Sequence, residues 1–394
     1  MDINFTAAQQ QLRAELREYF AALMTDERRA AIAGGPQGEY GPGDAFKEIV
    51  RQLGRDGYLV MGWPKEYGGQ GLSMIDQMIF TEEAAVAGVP IPFLTVNTVG
   101  PTIMRFGTEE QKAFFLPKIA AGELHFSIGY SEPEAGTDLA SLRTRAVPDG
   151  DDYVINGQKM WTSLVEYADY IWLATRTDPE VAKHKGLSVF IVPTSADGFS
   201  WTKVHTMAGA GTSATYYSDV RVPATSLVGG LNQGWNLITN QLNHERVALS
   251  IAAPMQEALR QVLEWAHDTE LDDGSRVIDQ EWARMHLARV HANTEYQKLR
   301  SWKMAADADT GELAPAEASA TKVFGTDFAT EGYRLLMEVL GAESIVRFDS
   351  AGALLRGRVE LYHRASLINT FGGGTNEVQR DIIAATALGL PVTR

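Results

Sequence analysis

Apolar positions recur every three or four residues from Phe5 to Met24 (Leu12, Leu16, Tyr19, Phe20, Leu23), the pattern of an amphipathic helix. A Gly/Pro-rich loop is expected from Gly34 to Gly43, and helices follow at Asp44–Asp56, Ser73–Ala87, Val96–Phe106 and Glu109–Ala120. Between them, Trp63-Pro64-Lys65-Glu66-Tyr67-Gly68-Gly69 reads as a turn, because Pro and paired Gly defeat both regular structures. Near Gly122 the pattern changes. From His125 to about Gly230, short β-branched or aromatic runs appear, among them Tyr153–Ile155, Tyr170–Ala174, Leu187–Val192 and Thr215–Val222. Asp149-Gly150, Asn156-Gly157 and Asp197-Gly198 supply turns between or beside them, so an antiparallel barrel or sandwich is expected. Helical spacing returns at Trp235–Thr269, Asp279–Ala306, Pro315–Leu340 and Ala351–Tyr362. A last helix, Thr375–Ala387, follows Gly372-Gly373-Gly374. The fold class is therefore α+β and multidomain: an N-terminal helical domain over 1–122, a middle β domain over 123–232 and a C-terminal helical domain over 233–394.

Composition narrows the chemistry. The length of 394 residues exceeds one compact core. A formal charge of −15 argues against nucleic-acid binding, which needs a surplus of Lys and Arg, but leaves room for an anionic ligand at a helix N-terminus. The absence of cysteine excludes disulfides, thiolate metal sites, iron–sulfur clusters and a Cys nucleophile. No apolar run approaches the roughly 20 residues that span a bilayer, so no membrane insertion is expected and a cytoplasmic place is inferred.

The eight histidines form no metal-ligand pattern: His286 and His291 fall on different helix faces, and His is read as a surface or capping residue. Neither Gly209-Ala210-Gly211 nor Gly372–Gly374 is a dinucleotide fingerprint, since neither links a strand to a helix inside a βαβ unit. The second still exposes a helix N-terminus at Thr375, a natural anion site. Glu245 lies in a helix interior, where a glutamate is ordinarily a solvated surface group. Arg246 follows it, and small or apolar residues fill Val247–Ala253, so a carboxylate there would be desolvated toward the range of a general base.

Several segments together resemble the acyl-CoA dehydrogenase family across essentially the whole chain. They are Tyr130-Ser131-Glu132-Pro133-Glu134-Ala135-Gly136-Thr137-Asp138, Asn156–Ser163, Ser218–Pro223, Glu245-Arg246 and Gly374–Arg380. The likeness is greatest to the catalytic-type subunit of actinobacterial heterotetrameric enzymes that dehydrogenate steroid side-chain acyl-CoA thioesters. It implies a C-terminal four-helix bundle and FAD as cofactor. Ile128, Tyr130 and Ser131 would bond the flavin edge, with Trp161 and Ser163 on its other side. Gly136 and Thr137 would approach the phosphates or the CoA arm, and Thr375 and Glu377 the adenosine half. The reaction implied is α,β-dehydrogenation: a carboxylate takes the α-proton while the β-hydrogen leaves as hydride. An oxidase of the same fold and a non-catalytic subunit are the competing readings.

Two departures from the commonest family pattern shape the expectation. Where many members carry the base in Tyr-Glu-Gly-Thr, this chain has Gly372-Gly373-Gly374-Thr375, and Gly373 cannot accept a proton. A minority place the base just before an Arg on the earlier helix, where this chain has Glu245-Arg246. That makes Glu245 the expected catalytic base, and Arg246 and Gly373 substrate-binding residues, with room for a bulky acyl group. The segments that usually grip FAD across a homodimer are acidic here, at His267–Gly274 and at Glu338. A homologous second subunit in an α2β2 heterotetramer is therefore expected, with an electron-transfer flavoprotein as acceptor.

Overall fold

The computed structural model describes residues 4–32, 44–208, 211–248, 251–309, 314–348 and 350–391; the side chains of 243–248 lie outside that description. The Gly34–Gly43 loop, Gly209 and Ala210 also fall outside it.

Among the described residues, six α-helices precede the sheet: α1 (Ala7–Leu23), α2 (Asp26–Ile32), α3 (Asp44–Arg55), α4 (Met74–Ala87), α5 (Gly100–Phe106) and α6 (Glu109–Ala120). Their ends follow local chemistry. Thr6 with Gln9, Ser73 with Asp76 and Thr108 with Gln111 form reciprocal capping boxes at the starts of α1, α4 and α6. Gln111 also reaches outward, its Nε2 donating to the Thr225 and Leu227 carbonyls at 2.8 and 2.9 Å. The expected Val96–Phe106 helix is two pieces: a π-helical turn at Leu94–Val99 runs into α5. Pro101 has no N–H for an α-helical bond, and Trp63 Nε1 takes the Val96 carbonyl at 3.2 Å.

Eight strands follow: β1 (Phe126–Gly129), β2 (Arg145–Asp149), β3 (Asp152–Lys159), β4 (Tyr170–Arg176), β5 (Leu187–Pro193), β6 (Phe199–Val204), β7 (Thr212–Pro223) and β8 (Leu227–Val228). They form one sheet in the order β6-β7-β3-β2-β4-β5-β8, with β1 alongside β4. Most pairings are antiparallel as expected, but β1 and β2 each meet β4 in parallel. Turn dipeptides reveal hairpins between neighbouring strands, not pairings between segments some 40 residues apart. Asn156-Gly157 is likewise no turn but a bulge inside β3. A Cβ at Gly157 would stand 2.5 Å from Thr144 Oγ1, so close approach explains that glycine.

The strands β4 and β5 are buried on both faces of the sheet, whereas β2 and β6 are mostly exposed. Leu187, Val189 and Ile191 of β5 join one core with α1, α3 and the neighbouring helices, while Phe190 and Val192 join residues of β2, β3, β4 and β7 in another. Strands far apart in the sheet order share this second core, and Tyr153 meets Phe190 at 4.8 Å between ring centres, so the sheet curls around it.

The C-terminal helices are α7 (Gly234–Ala248), α8 (Ala253–Asp268), α9 (Glu281–Asp309), α10 (Pro315–Leu340), α11 (Arg358–Ser366) and α12 (Asn376–Thr386). The single helix expected over Trp235–Thr269 is α7 and α8, and Pro254 stands at the start of α8, where its missing N–H costs nothing. The helix expected over Ala351–Tyr362 begins only at Arg358. Leu355, Arg356 and Gly357 are consecutive left-handed residues (φ 48, 61 and 68°), which no α-helix accommodates. Helix α10 packs against α8, α9, α11 and α12 around a third core of its own. No described helix is long and apolar enough to cross a membrane.

Candidate active site

The site begins where β1 ends. Ile128 is half-buried in β1 and Tyr130 is buried just beyond it. Tyr130 donates its hydroxyl proton to Gln241 Oε1 of α7 and accepts from Trp172 Nε1 at 3.0 Å. This joins the β1 exit to α7. Gln241 is 1% exposed, and its Nε2 has no hydrogen-bond partner among the described residues. Glu245 and Arg246 follow one turn later on the same helix, with side chains outside the described residues.

The Ser131–Asp138 segment is fixed by a buried ion pair that the sequence reading did not single out. Glu132 accepts from Lys159 Nζ at 2.9 Å and from the Arg143 and Thr144 amides at 2.7 and 2.8 Å. Lys159, fully buried, also donates to the Tyr130 carbonyl at 2.9 Å. Burial pushes the Lys159 ammonium down to about 8 even with Glu132 beside it. Burial also works to raise the Glu132 carboxyl, but the Lys159 charge and these hydrogen bonds outweigh it and hold Glu132 below the usual range. A lysine inside a strand was the signal available in the sequence, and only the fold shows what it holds.

Ser131 and the Trp161–Ser163 turn are brought together by two bonds: the Met160 amide to the Ser131 carbonyl at 2.8 Å, and Ser127 Oγ to the Ser163 carbonyl at 2.8 Å. Ser163 Oγ donates to Thr212 Oγ1 at 3.2 Å. Trp161 is left-handed (φ 65°) and 54% exposed, so this large ring is presented rather than packed. Gly136 and Thr137 are exposed on the same segment, and a Cβ at Gly136 would meet nothing within 4 Å. Nothing in the protein itself therefore demands a glycine there.

A second cluster surrounds the glycine turn. Gly373 and Gly374 are left-handed (φ 66 and 94°), and Thr375 caps α12 by accepting the Val378 amide at 3.2 Å. Glu377 is exposed in the first turn of α12, favourably placed for the helix dipole. Beneath the turn, buried Lys322 and Asn376 form a network that the sequence reading also missed. Arg364 of α11 donates to the Met207 carbonyl between β6 and β7, which ties the bundle to the sheet.

The acidic positions differ in setting. Asp268, Glu270, Asp272 and Asp273 are exposed, whereas Glu338 is engaged by Arg334 and by His286 Nε2 at 2.8 Å. His286 is thus held against Glu338, and no group of metal-ligating side chains occurs among the described residues.

Comparison with known proteins covers the chain from end to end. The acyl-CoA dehydrogenase N-terminal, middle and C-terminal domain families match residues 6–123, 127–220 and 232–388. Acyl-CoA dehydrogenase FadE26 of Mycobacterium tuberculosis is 65% identical over 99% of both chains, and FadE29 of the same organism 46% identical over 99% of both. Among solved structures, the ChsE4-ChsE5 complex from Mycobacterium tuberculosis contains a chain 64% identical, covering 100% of both chains with a TM-score of 0.93. The Tcur3481-Tcur3483 steroid ACAD matches with 50% identity over 100% of both chains and a TM-score of 0.93. With the helix–sheet–helix architecture and this end-to-end similarity, the chain belongs to the acyl-CoA dehydrogenase family and is an oxidoreductase of that class.

Proposed function

We propose that this acyl-CoA dehydrogenase oxidises the Cα–Cβ bond of a steroid side-chain acyl-CoA, with Glu245 as base and FAD as cofactor. The observation that carries the reading is the Tyr130–Gln241 contact, which sets the β1 exit against α7 one turn before Glu245. The Glu245 carboxylate takes the α-proton as the Cα–Cβ double bond forms, and Arg246 helps to hold the CoA moiety. When bound, FAD would supply the acceptor for the β-hydrogen and its electron pair, the two electrons then leaving for an electron-transfer flavoprotein and the hydrogen as a proton.

Three features fit a flavin. The space over Gly136 is open, Gln241 Nε2 offers a donor beside Tyr130, and Trp161 presents its ring next to Ser163. Ile128, Tyr130, Ser131, Trp161 and Ser163 would hold the ring system, Gly136 and Thr137 the phosphate side, and Thr375 and Glu377 the adenosine half. Gly373, side-chain-free and left-handed, would leave the acyl group room.

The steroid substrate is supported by similarity to a chain of the Tcur3481-Tcur3483 steroid ACAD, and the two-component names of that protein and of the ChsE4-ChsE5 complex support a second subunit, which the acidic segments suggest is homologous and completes an α2β2 assembly. Divisions at 122/123 and 232/233 complete the proposed domain plan. Glu245→Gln is expected to abolish flavin bleaching by acyl-CoA under anaerobic conditions while FAD stays bound; retained bleaching would remove Glu245 from the mechanism. A series of steroid and fatty acyl-CoA thioesters, assayed with the co-expressed partner, tests the substrate.

A further inference from the structure

Lys322 is 0% exposed in the first third of α10, an expensive place for an ammonium unless its protons are used. Two of its acceptors lie two residues apart in one segment: the Gly374 carbonyl at 2.8 Å and Asn376 Oδ1 at 2.7 Å. Asn376 is itself fully engaged, its Nδ2 donating to Thr326 Oγ1 at 3.0 Å and to Asp327 Oδ1 at 2.7 Å. Asp327 in turn holds Arg380 of α12 at 2.8 Å. Ser319 Oγ donates to Gln379 Oε1 at 2.8 Å, and Gln379 Nε2 lies directly under Gly374, 2.6 Å from where a Cβ would stand. Ser319, Lys322 and Thr326 are spaced as one stripe of α10, so that stripe is spent on Gly374 and the first turn of α12.

We propose that Lys322 is a positioning residue for the glycine turn: it fixes the carbonyl of Gly374, and thereby the wall that Gly373 contributes to the acyl-binding site. The inference rests on the functional reading above for the role of Gly373. Three conditions make the clamp necessary. The turn has two successive left-handed glycines, which are the residues with the most conformational freedom. No side chain at 372, 373 or 374 can pack to restrain it. A charged donor inside a dry helix interface then holds a carbonyl more firmly than a surface contact does.

The test uses the full chain co-purified with its partner subunit and compares wild type with Lys322→Met, which keeps length and apolar volume but removes the donors. Amide hydrogen exchange at 372–378 is expected to accelerate roughly tenfold or more, with α9 and the middle of α10 unchanged. KM for the acyl-CoA is expected to rise about tenfold while kcat stays within about threefold, because a displaced wall weakens binding rather than the base. Unchanged exchange at the turn, or a uniform rise along α10 with unchanged KM, overturns the proposal. If Lys322→Met does not fold, Asn376→Ala decides: it leaves the ammonium its Gly374 acceptor, and a local rise of about threefold in exchange is expected. An unchanged turn in that variant overturns the proposal as well. Should the wild type oxidise no acyl-CoA, the functional reading fails while the exchange result still judges the clamp.

Discussion

Two fully buried lysines hold the two halves of the candidate site, and they do so differently. Lys159 in the sheet secures the Tyr130 carbonyl and is balanced by the Glu132 carboxylate. Lys322 in the bundle secures the Gly374 carbonyl and shares its protons with the neutral amide of Asn376. In both places a backbone carbonyl next to a site residue is fixed by a charge that solvent does not reach. The difference lies in what a broken clamp leaves behind. At Glu132 it is an uncompensated charge within a core, and at Asn376 it is a set of missing hydrogen bonds to Lys322, Thr326 and Asp327.

The comparison is broken most forcefully at Glu132. Glu132→Gln strands the Lys159 ammonium, so a loss of about 3–5 kcal/mol is expected in chemical denaturation, with the Ser131 segment loosened. A loss below about 1 kcal/mol would show that Lys159 simply gives up its proton there, as its lowered value permits. Gly374→Ala should cost less, about 1–3 kcal/mol, because it meets Gln379 and must hold φ near 94°. Acid titration gives the smallest signal. The Glu132 carboxyl is held below its ordinary value in the folded chain, so its contribution is complete above the ordinary carboxylate range. It disappears as pH falls through the lowered value. The acid limb of stability against pH should therefore be steeper in wild type than in Glu132→Gln, and equal slopes would contradict the assignment.

Much of the architecture was legible because its signals are local. Glu109–Ala120 and Pro315–Leu340 have the expected ends, marked by the Thr108–Gln111 box in one and by Pro315 and Gly341 in the other. The parallel pairing of β1 with β4 was not legible, nor were the links from Glu132 to Lys159 or from Lys322 to Asn376, since each joins positions 27 to 54 residues apart. Asn156-Gly157 misled for a related reason. Its turn chemistry is real, but Asn156 spends it on Asp219 of the neighbouring strand, accepting its amide at 3.0 Å. Of the candidate site, the Tyr130–Ser131 and Trp161–Ser163 groups were proposed through resemblance, and the structure adds the bonds that bring the two segments together. Gln241 lay in plain view within the Glu245 helix, but only burial distinguishes it from its polar neighbours.

The cores described above also bear on cooperativity. The N-terminal helices and the inner face of the sheet share a single core, pinned further by Gln111, whereas α8 to α11 build another. Three family segments thus amount to two large units for local unfolding, with the described helices α1 to α6 tied to the sheet in one of them. Helix α7 spans the seam: Leu237 and Ile238 at its start belong to the first unit, and the helix also packs on α10 of the second. The backbone of α7 therefore depends on both units being folded, and opening either one loosens that helix before the chain as a whole is lost.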